Sequence, residues 1–186
     1  VTPDIRKYGT YYGNQITAGD GLLNTRITEV TVGSGVSNTV IDSTGTYREY
    51  DTGATINSLE GIYGGFRFGT RINNIYMKAG VYLANNTNMR VLIGLANSVS
   101  VPASSADPLN ALEGVALWFD SAVSANWKRM HNDNAGASTV DDTSVAAATA
   151  TLYPVEIYGY NDSEFRFVFN GVSTSISTNI PASTTG

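Results

Sequence analysis

The feature that most constrains this chain is a strict period of two near its C-terminal end. Phe165, Phe167 and Phe169 alternate with Glu164, Arg166, Val168 and Asn170, and successive side chains of a β-strand point to opposite faces. One face of such a strand is buried and the other wetted, so the segment requires a second layer to cover it. Upstream, Leu152, Val155, Ile157 and Tyr158 form a matching run, and the turn dipeptide Asn161-Asp162 lies between the two. Tyr153 to Asn170 therefore reads as a β-hairpin. Asn170-Gly171 is a second tight-turn signal, and Ser173 to Ser177 returns as a short strand.

The same pattern extends upstream. Asn88 to Ala96 (NMRVLIGLA) sets Met89, Val91, Ile93 and Leu95 on one face. Its other face is mostly small or apolar, which predicts a central strand covered on both sides. Ile72 to Ala84 is a second long strand, with Asn85 to Thr87 as the turn joining the two. Gly114 to Asp120 and Asn126 to His131 form another pair across a small-residue loop, Ser121 to Ala125. Ser98 to Asn110, which contains Asp107-Pro108, is too rich in serine and proline for a strand. Val145 to Thr151 reads as a connection with room for one helical turn. Many short strands separated by turn signals predict an all-β, two-sheet antiparallel sandwich.

Residues 1–52 differ. Tyr8 to Tyr12, Gly19-Asp20-Gly21, Ile27 to Val32 and Val36 to Ile41 are rich in glycine and threonine and poor in bulky core residues. They read as a β-rich N-terminal arm ahead of a sandwich over 53–186. The arm is either an extra hairpin laid on the sandwich or a contact with a neighbouring subunit, since exposed strand edges need cover or a partner.

Composition narrows the function classes. The 186 residues suit one moderate domain. There is no cysteine and one histidine, which excludes disulfide frameworks, thiolate zinc sites and cysteine nucleophiles. Only 15% of residues are charged, with 11 basic against 16 acidic, so no basic stripe is present to track phosphates and nucleic acid is not an expected partner. No stretch approaches the roughly 18 apolar residues of a bilayer-spanning helix. The chain opens at Val1 with no charged-then-apolar leader, which reads as a processed product or part of a longer chain.

Candidate chemistry is sparse. Glu49 and Asp51 would share a strand face, as paired glycosidase carboxylates must. The run lacks the second glutamate of the Glu-x-Asp-x-Glu pattern of jelly-roll glucanases, so a solvated strand face is expected and no enzyme. His131 would have to serve any triad or imidazole zinc site alone, and is expected at the surface or rim. Asn132-Asp133-Asn134-Ala135-Gly136 and Asp141-Asp142 are oxygen-rich loops of the kind that can hold a structural calcium, without EF-hand spacing; ordinary turn composition accounts for them equally. Trp118 lies in an apolar run and is expected in the core. Trp127 precedes Lys128 and Arg129, compatible with a half-exposed ring, although core or interface is the leading expectation. If a glycan or receptor is bound, Trp127, His131, Asp133 and Asn134 are the candidate contacts. Asn85-Asn86-Thr87 and Asn161-Asp162-Ser163 match the N-glycosylation sequon.

The order of segments in the second half carries a resemblance. NMRVLIGLA (88–96), GVALWFD (114–120), NWKRMHND (126–133), DTSV (142–145), the hairpin, and STNIPAST (177–184) follow one another. Over about residues 60–186 this resembles the concanavalin A-like jelly-roll domains of phage tail fibres and related virion or surface proteins. The resemblance implies a jelly-roll sandwich and a homo-oligomer, often a trimer, among other virion proteins. No catalytic or sugar-binding residue carries over with it. The expected function is a non-enzymatic virion structural protein (tail fibre, spike or capsid-decorating subunit) that self-associates and presents loops for host attachment. The alternative is a lectin-like carbohydrate-binding module of a cell-surface or secreted protein. Either implies a virion or extracellular location, contact with a host surface glycan, no cofactor and no membrane insertion.

Overall fold

The computed structural model describes the strand backbones 27–32, 36–42, 45–51 and 59–64, and residues 76–97, 107–159 and 163–182 in full. Every regular element among them is a β-strand. The chain divides into two compact units, Val1–Phe66 and Arg67–Gly186.

In the first unit, β1 (Ile27–Val32) pairs antiparallel with β4 (Leu59–Gly64), and β2 (Val36–Asp42) with β3 (Gly45–Asp51). β1 and β4 thus lie within one unit. Glu49 and Asp51 lie in β3, and their side chains lie outside the described part.

The second unit is a β-sandwich of two four-stranded antiparallel sheets. One has the order β6 (Arg90–Ala96), β7 (Glu113–Asp120), β8 (Asn126–Asp133), β9 (Thr139–Ala146). The other runs β12 (Val172–Ile176), β11 (Phe165–Phe169), β10 (Leu152–Gly159), β5 (Tyr76–Tyr82). Alternation places Val115, Leu117, Phe119 and Trp127 of the first sheet against Tyr153, Val155, Ile157 and the three phenylalanines of β11. Burying each such aromatic is worth about 1.5–3 kcal/mol, and Trp127 at the centre touches the rings of Phe119, Tyr153 and Phe169 at 5.4, 5.4 and 5.9 Å.

The predicted hairpin is present as β10 and β11, with Val155 opposite Phe169 and Gly159 opposite Phe165; Asn161-Asp162 themselves lie outside the described residues. Asn170-Gly171 joins β11 to β12 with φ of 48° and 80°, the two positive values that a tight two-residue hairpin turn requires.

Two expectations are corrected. Asn85 to Thr87 does not close a hairpin, because β5 pairs with β10 and β6 with β7; the segment carries the chain from one sheet to the other. Asn85 folds it with its own Oδ1, which accepts the Thr87 N–H at 3.0 Å, and Asn86 anchors it by donating to the Ala147 carbonyl at 2.8 Å. Nor is β6 the strand covered on both faces. That strand is β7, buried almost throughout, with Ala116 and Trp118 joining Leu109 and Met130 in a second cluster on its outer side. β6 lies at the end of the sheet order and is half exposed. It approaches β7 so closely at Gly94 that a Cβ there would sit 2.3 Å from the Val115 carbonyl oxygen. Val145 and Ala146 extend β9, and the remaining connection, 147–151, contains no helical turn.

Candidate functional site

The four residues singled out as glycan or receptor contacts do not form one surface. On β8, Trp127, Arg129 and His131 alternate with Lys128 and Met130 and point toward the opposite sheet. Trp127 is fully buried among aromatic rings. His131 is 2% exposed, which corrects its expected place at the surface or rim. Its Nδ1 lies 3.2 Å from the Asn179 carbonyl oxygen and its Nε2 3.4 Å from Asp141 Oδ2. Neither ring is open to a ligand. Asp133 and Asn134 are exposed at the turn after β8, where Asp133 Oδ1 accepts the Ala135 N–H at 2.9 Å and Asn134 and Gly136 take positive φ.

That turn belongs to a firmly tied loop end of the sandwich. Buried Asn132 donates to the carbonyls of Leu109 and Gly136, both at 2.7 Å. Asp107 accepts from the Ser138 backbone at 2.6 Å and from its hydroxyl at 2.7 Å. Asn179 accepts the Asp133 N–H at 3.0 Å and donates to Thr139 Oγ1 at 2.9 Å. The carboxylates here are consumed by N–H and O–H donors. Among the described residues no group of three His, Cys, Asp or Glu side chains could hold a metal ion.

A different surface has the composition of a contact site: the outer face of the β10 sheet. On β10 the buried residues Tyr153, Val155 and Ile157 alternate with Leu152, Pro154, Glu156 and Tyr158, which face outward. Cross-strand pairing then sets Tyr158 between Tyr76 and Arg166, Glu156 between Lys78 and Val168, and Leu152 opposite Tyr82. Tyr82 and Leu152 are 56% and 64% exposed. Tyr76 and Tyr158 lie with ring centroids 6.2 Å apart. Lys78 and Glu156 form an ion pair at 2.7 Å. Burial pushes the Tyr76 phenol above its ordinary value, and the Glu156 charge adds to the shift. The hydrogen bond that Lys78 donates to Glu156, together with the carboxylate charge, holds the Lys78 ammonium above its own.

No motif marks these residues in the sequence, where the tryptophans are the more conspicuous aromatics. The signal was nonetheless present: the alternation that buries Phe165, Phe167 and Phe169 places Arg166 and, through the hairpin, Tyr158 on the opposite face. Chemically the face offers phenol rings, a guanidinium and one neutralised charge pair. These are groups suited to recognition.

No protein-family model matches the chain, and neither a curated protein nor a solved structure similar to it was found. No helix among the described residues is long and apolar enough to cross a membrane.

Proposed function

We propose that the chain is a non-enzymatic virion structural protein, a tail-fibre, spike or capsid-decorating subunit, that self-associates through the outer face of β5 and β10. The observation that carries this is the exposed pair Tyr82 and Leu152 on a face shared with Tyr76, Tyr158 and Arg166. Tyrosine and arginine are enriched where binding energy concentrates, and exposed apolar side chains beside them mark interaction surfaces. The neutral Lys78–Glu156 pair suits a second copy of the same chain, since no net charge opposes its approach. The low overall charge, the resemblance to jelly-roll fibre domains with the trimer it implies, and an N-terminal arm over 1–52 that pairs with a neighbour belong to the same reading. The firmly tied loops carrying Asp133 and Asn134 then face outward toward the host, at a virion or extracellular site.

Sedimentation of the full chain tests this. The wild type is expected to form an oligomer, and Leu152→Arg with Tyr82→Glu a folded monomer with an unchanged β-sheet spectrum. A wild-type monomer across the accessible concentration range would defeat the proposal. The Tyr76–Tyr158 pair beside Glu156 and Arg166 also favours a second reading, lectin-like glycan binding by the same face. Its test is a glycan array in which Tyr158→Ala abolishes any signal found; an array with no signal rejects it.

A further inference from the structure

We propose that the flank of the sandwich between β9 and β12 binds a small carboxylate through Arg129. Arg129 follows Trp127 on the core-facing side of β8, where a charged side chain is out of place. Its side chain is only 17% exposed. Its Nε is buried and without a hydrogen-bond partner. The carboxylate opposite, Asp141, comes no nearer than 3.7 Å to Nη2, beyond hydrogen-bond reach, and is itself 43% exposed. The other cations of this sheet are treated differently: Arg90 is bonded to buried Asp120, and Lys128 reaches Asp142 at 2.5 Å. A guanidinium carries five donors and no acceptor, so Arg129 is left with donor capacity in a largely dry place.

Beside it is a pocket of about 190 Å³ that Val145, Phe167, Phe169, Val172 and Thr174 help to line. The strand β9 bulges where it contributes Thr143 and Val145 to the lining. Between the pairs Lys128–Asp142 and Asn126–Ala146, Trp127 alone faces Thr143, Ser144 and Val145, and Ser144 turns with φ of 58°. The other polar groups of the pocket wall are already engaged. Thr143 donates its hydroxyl to the Trp127 carbonyl at 2.7 Å, and Asp142 at the rim is held by Lys128, Asn126 and the Ser144 N–H. What remains is one cation edge, the Thr174 hydroxyl and apolar walls. A cavity of about 150 Å³ binds benzene, so this volume is enough for one ring. A carboxylate on a ring-sized body satisfies each of these features, because carboxylates meet the guanidinium fork in charge-assisted pairs.

Such a group comes either from a free aromatic acid or from the acidic sugar of a glycan, and the test separates the two. The full chain is titrated with benzoate, with glucuronate and with the methyl ester of each, following the Arg129 Nε–H resonance and the Phe167 and Phe169 rings by NMR. Saturable shifts with at least one carboxylate, about tenfold or more tighter than with its ester, support the site; the tighter of the two acids identifies the source. Arg129→Met is expected to abolish the response. Val172→Trp, an exposed position at the mouth, is expected to block it without touching the core, which keeps the test valid if the Arg129 variant does not fold. No saturable shift with either acid, equal binding of the esters, or full binding by the Val172→Trp variant would each overturn the proposal. None of these outcomes bears on the oligomeric state, so this site and the assembly face stand or fall separately.

Discussion

His131 and Asn179 hold each other at two points: His131 Nδ1 lies 3.2 Å from the Asn179 carbonyl, and Asn179 Nδ2 donates to the His131 carbonyl at 3.3 Å. With its further bonds to Asp133 and Thr139, one asparagine ties the segment after β12 to the first sheet. Asn179 has φ of 47°, so Asn179→Gly keeps that backbone accessible while deleting the amide. Three lost hydrogen bonds at about 0.5–1.5 kcal/mol each predict a loss of about 1.5–4.5 kcal/mol in denaturant unfolding. A loss below about 0.5 kcal/mol would show that the segment is held by something else.

Asp120 is expected to be among the least replaceable polar residues. It is 5% exposed, accepts from Arg90 Nε at 2.7 Å and from the Ala122 N–H at 2.9 Å, and lies opposite Arg90 on the neighbouring strand. Removing one member of a buried pair costs about 3–5 kcal/mol. Asp120→Ala should lose about that much in urea unfolding, while the double variant Asp120→Leu/Arg90→Met recovers a large part of it.

Gly94→Ala should destabilise the first sheet, although alanine is ordinarily the milder residue in a strand. The added methyl would meet the Val115 carbonyl at 2.3 Å and Ala116 Cα at 2.6 Å. Both are backbone, so β6 has to move away from β7. Overpacking of this kind costs about 1–3 kcal/mol, read as a lower Tm and as faster amide exchange in β6. Unchanged exchange in β6 would contradict the close approach.

The alkaline limb of stability should report Tyr76. Burial, reinforced by Glu156, raises its folded-state value above the ordinary one of about 10, so the folded protein favours the neutral phenol. The contribution is fully present below pH 10 or so and is lost as pH rises through the raised folded value. In an ultraviolet titration of the full chain, Tyr76→Phe should remove a component that ionises late. If the missing component ionises at or below the ordinary value, the half-buried setting of Tyr76 beside Glu156 is wrong.

Strand faces and the pairing of consecutive strands such as β7 with β8 and β10 with β11 were legible in the sequence; the long-range partner of β5 was not. Alternation in Phe165 to Phe169 identified a buried face, and Asn170-Gly171 identified its turn, because both are local in the chain. It could not say that β5 pairs with β10 rather than β6, since a period of two sets which side faces the core and carries no information on neighbours. The same locality explains His131. Read as a lone histidine at a strand end it looked superficial, yet it stands four residues after Trp127 and so shares the buried face. Arg129, between them, was visible by the same count, but its meaning depends on Asp141 lying just too far away, a distance that no spacing rule supplies.

The strand order also has a consequence in time. β10, β11 and β12 follow one another and can zip as they emerge, and so can β6 to β9. β5 is different: its only partner among the described strands is β10, which arrives after the whole other sheet has been made. Until then a nascent or truncated chain carries β5 as an unsatisfied edge, open to the wrong neighbour. Closing that long interval is entropically slow, so the docking of β5 should be the late event of folding, and a chain cut before Leu152 should aggregate rather than retain a half-built sandwich.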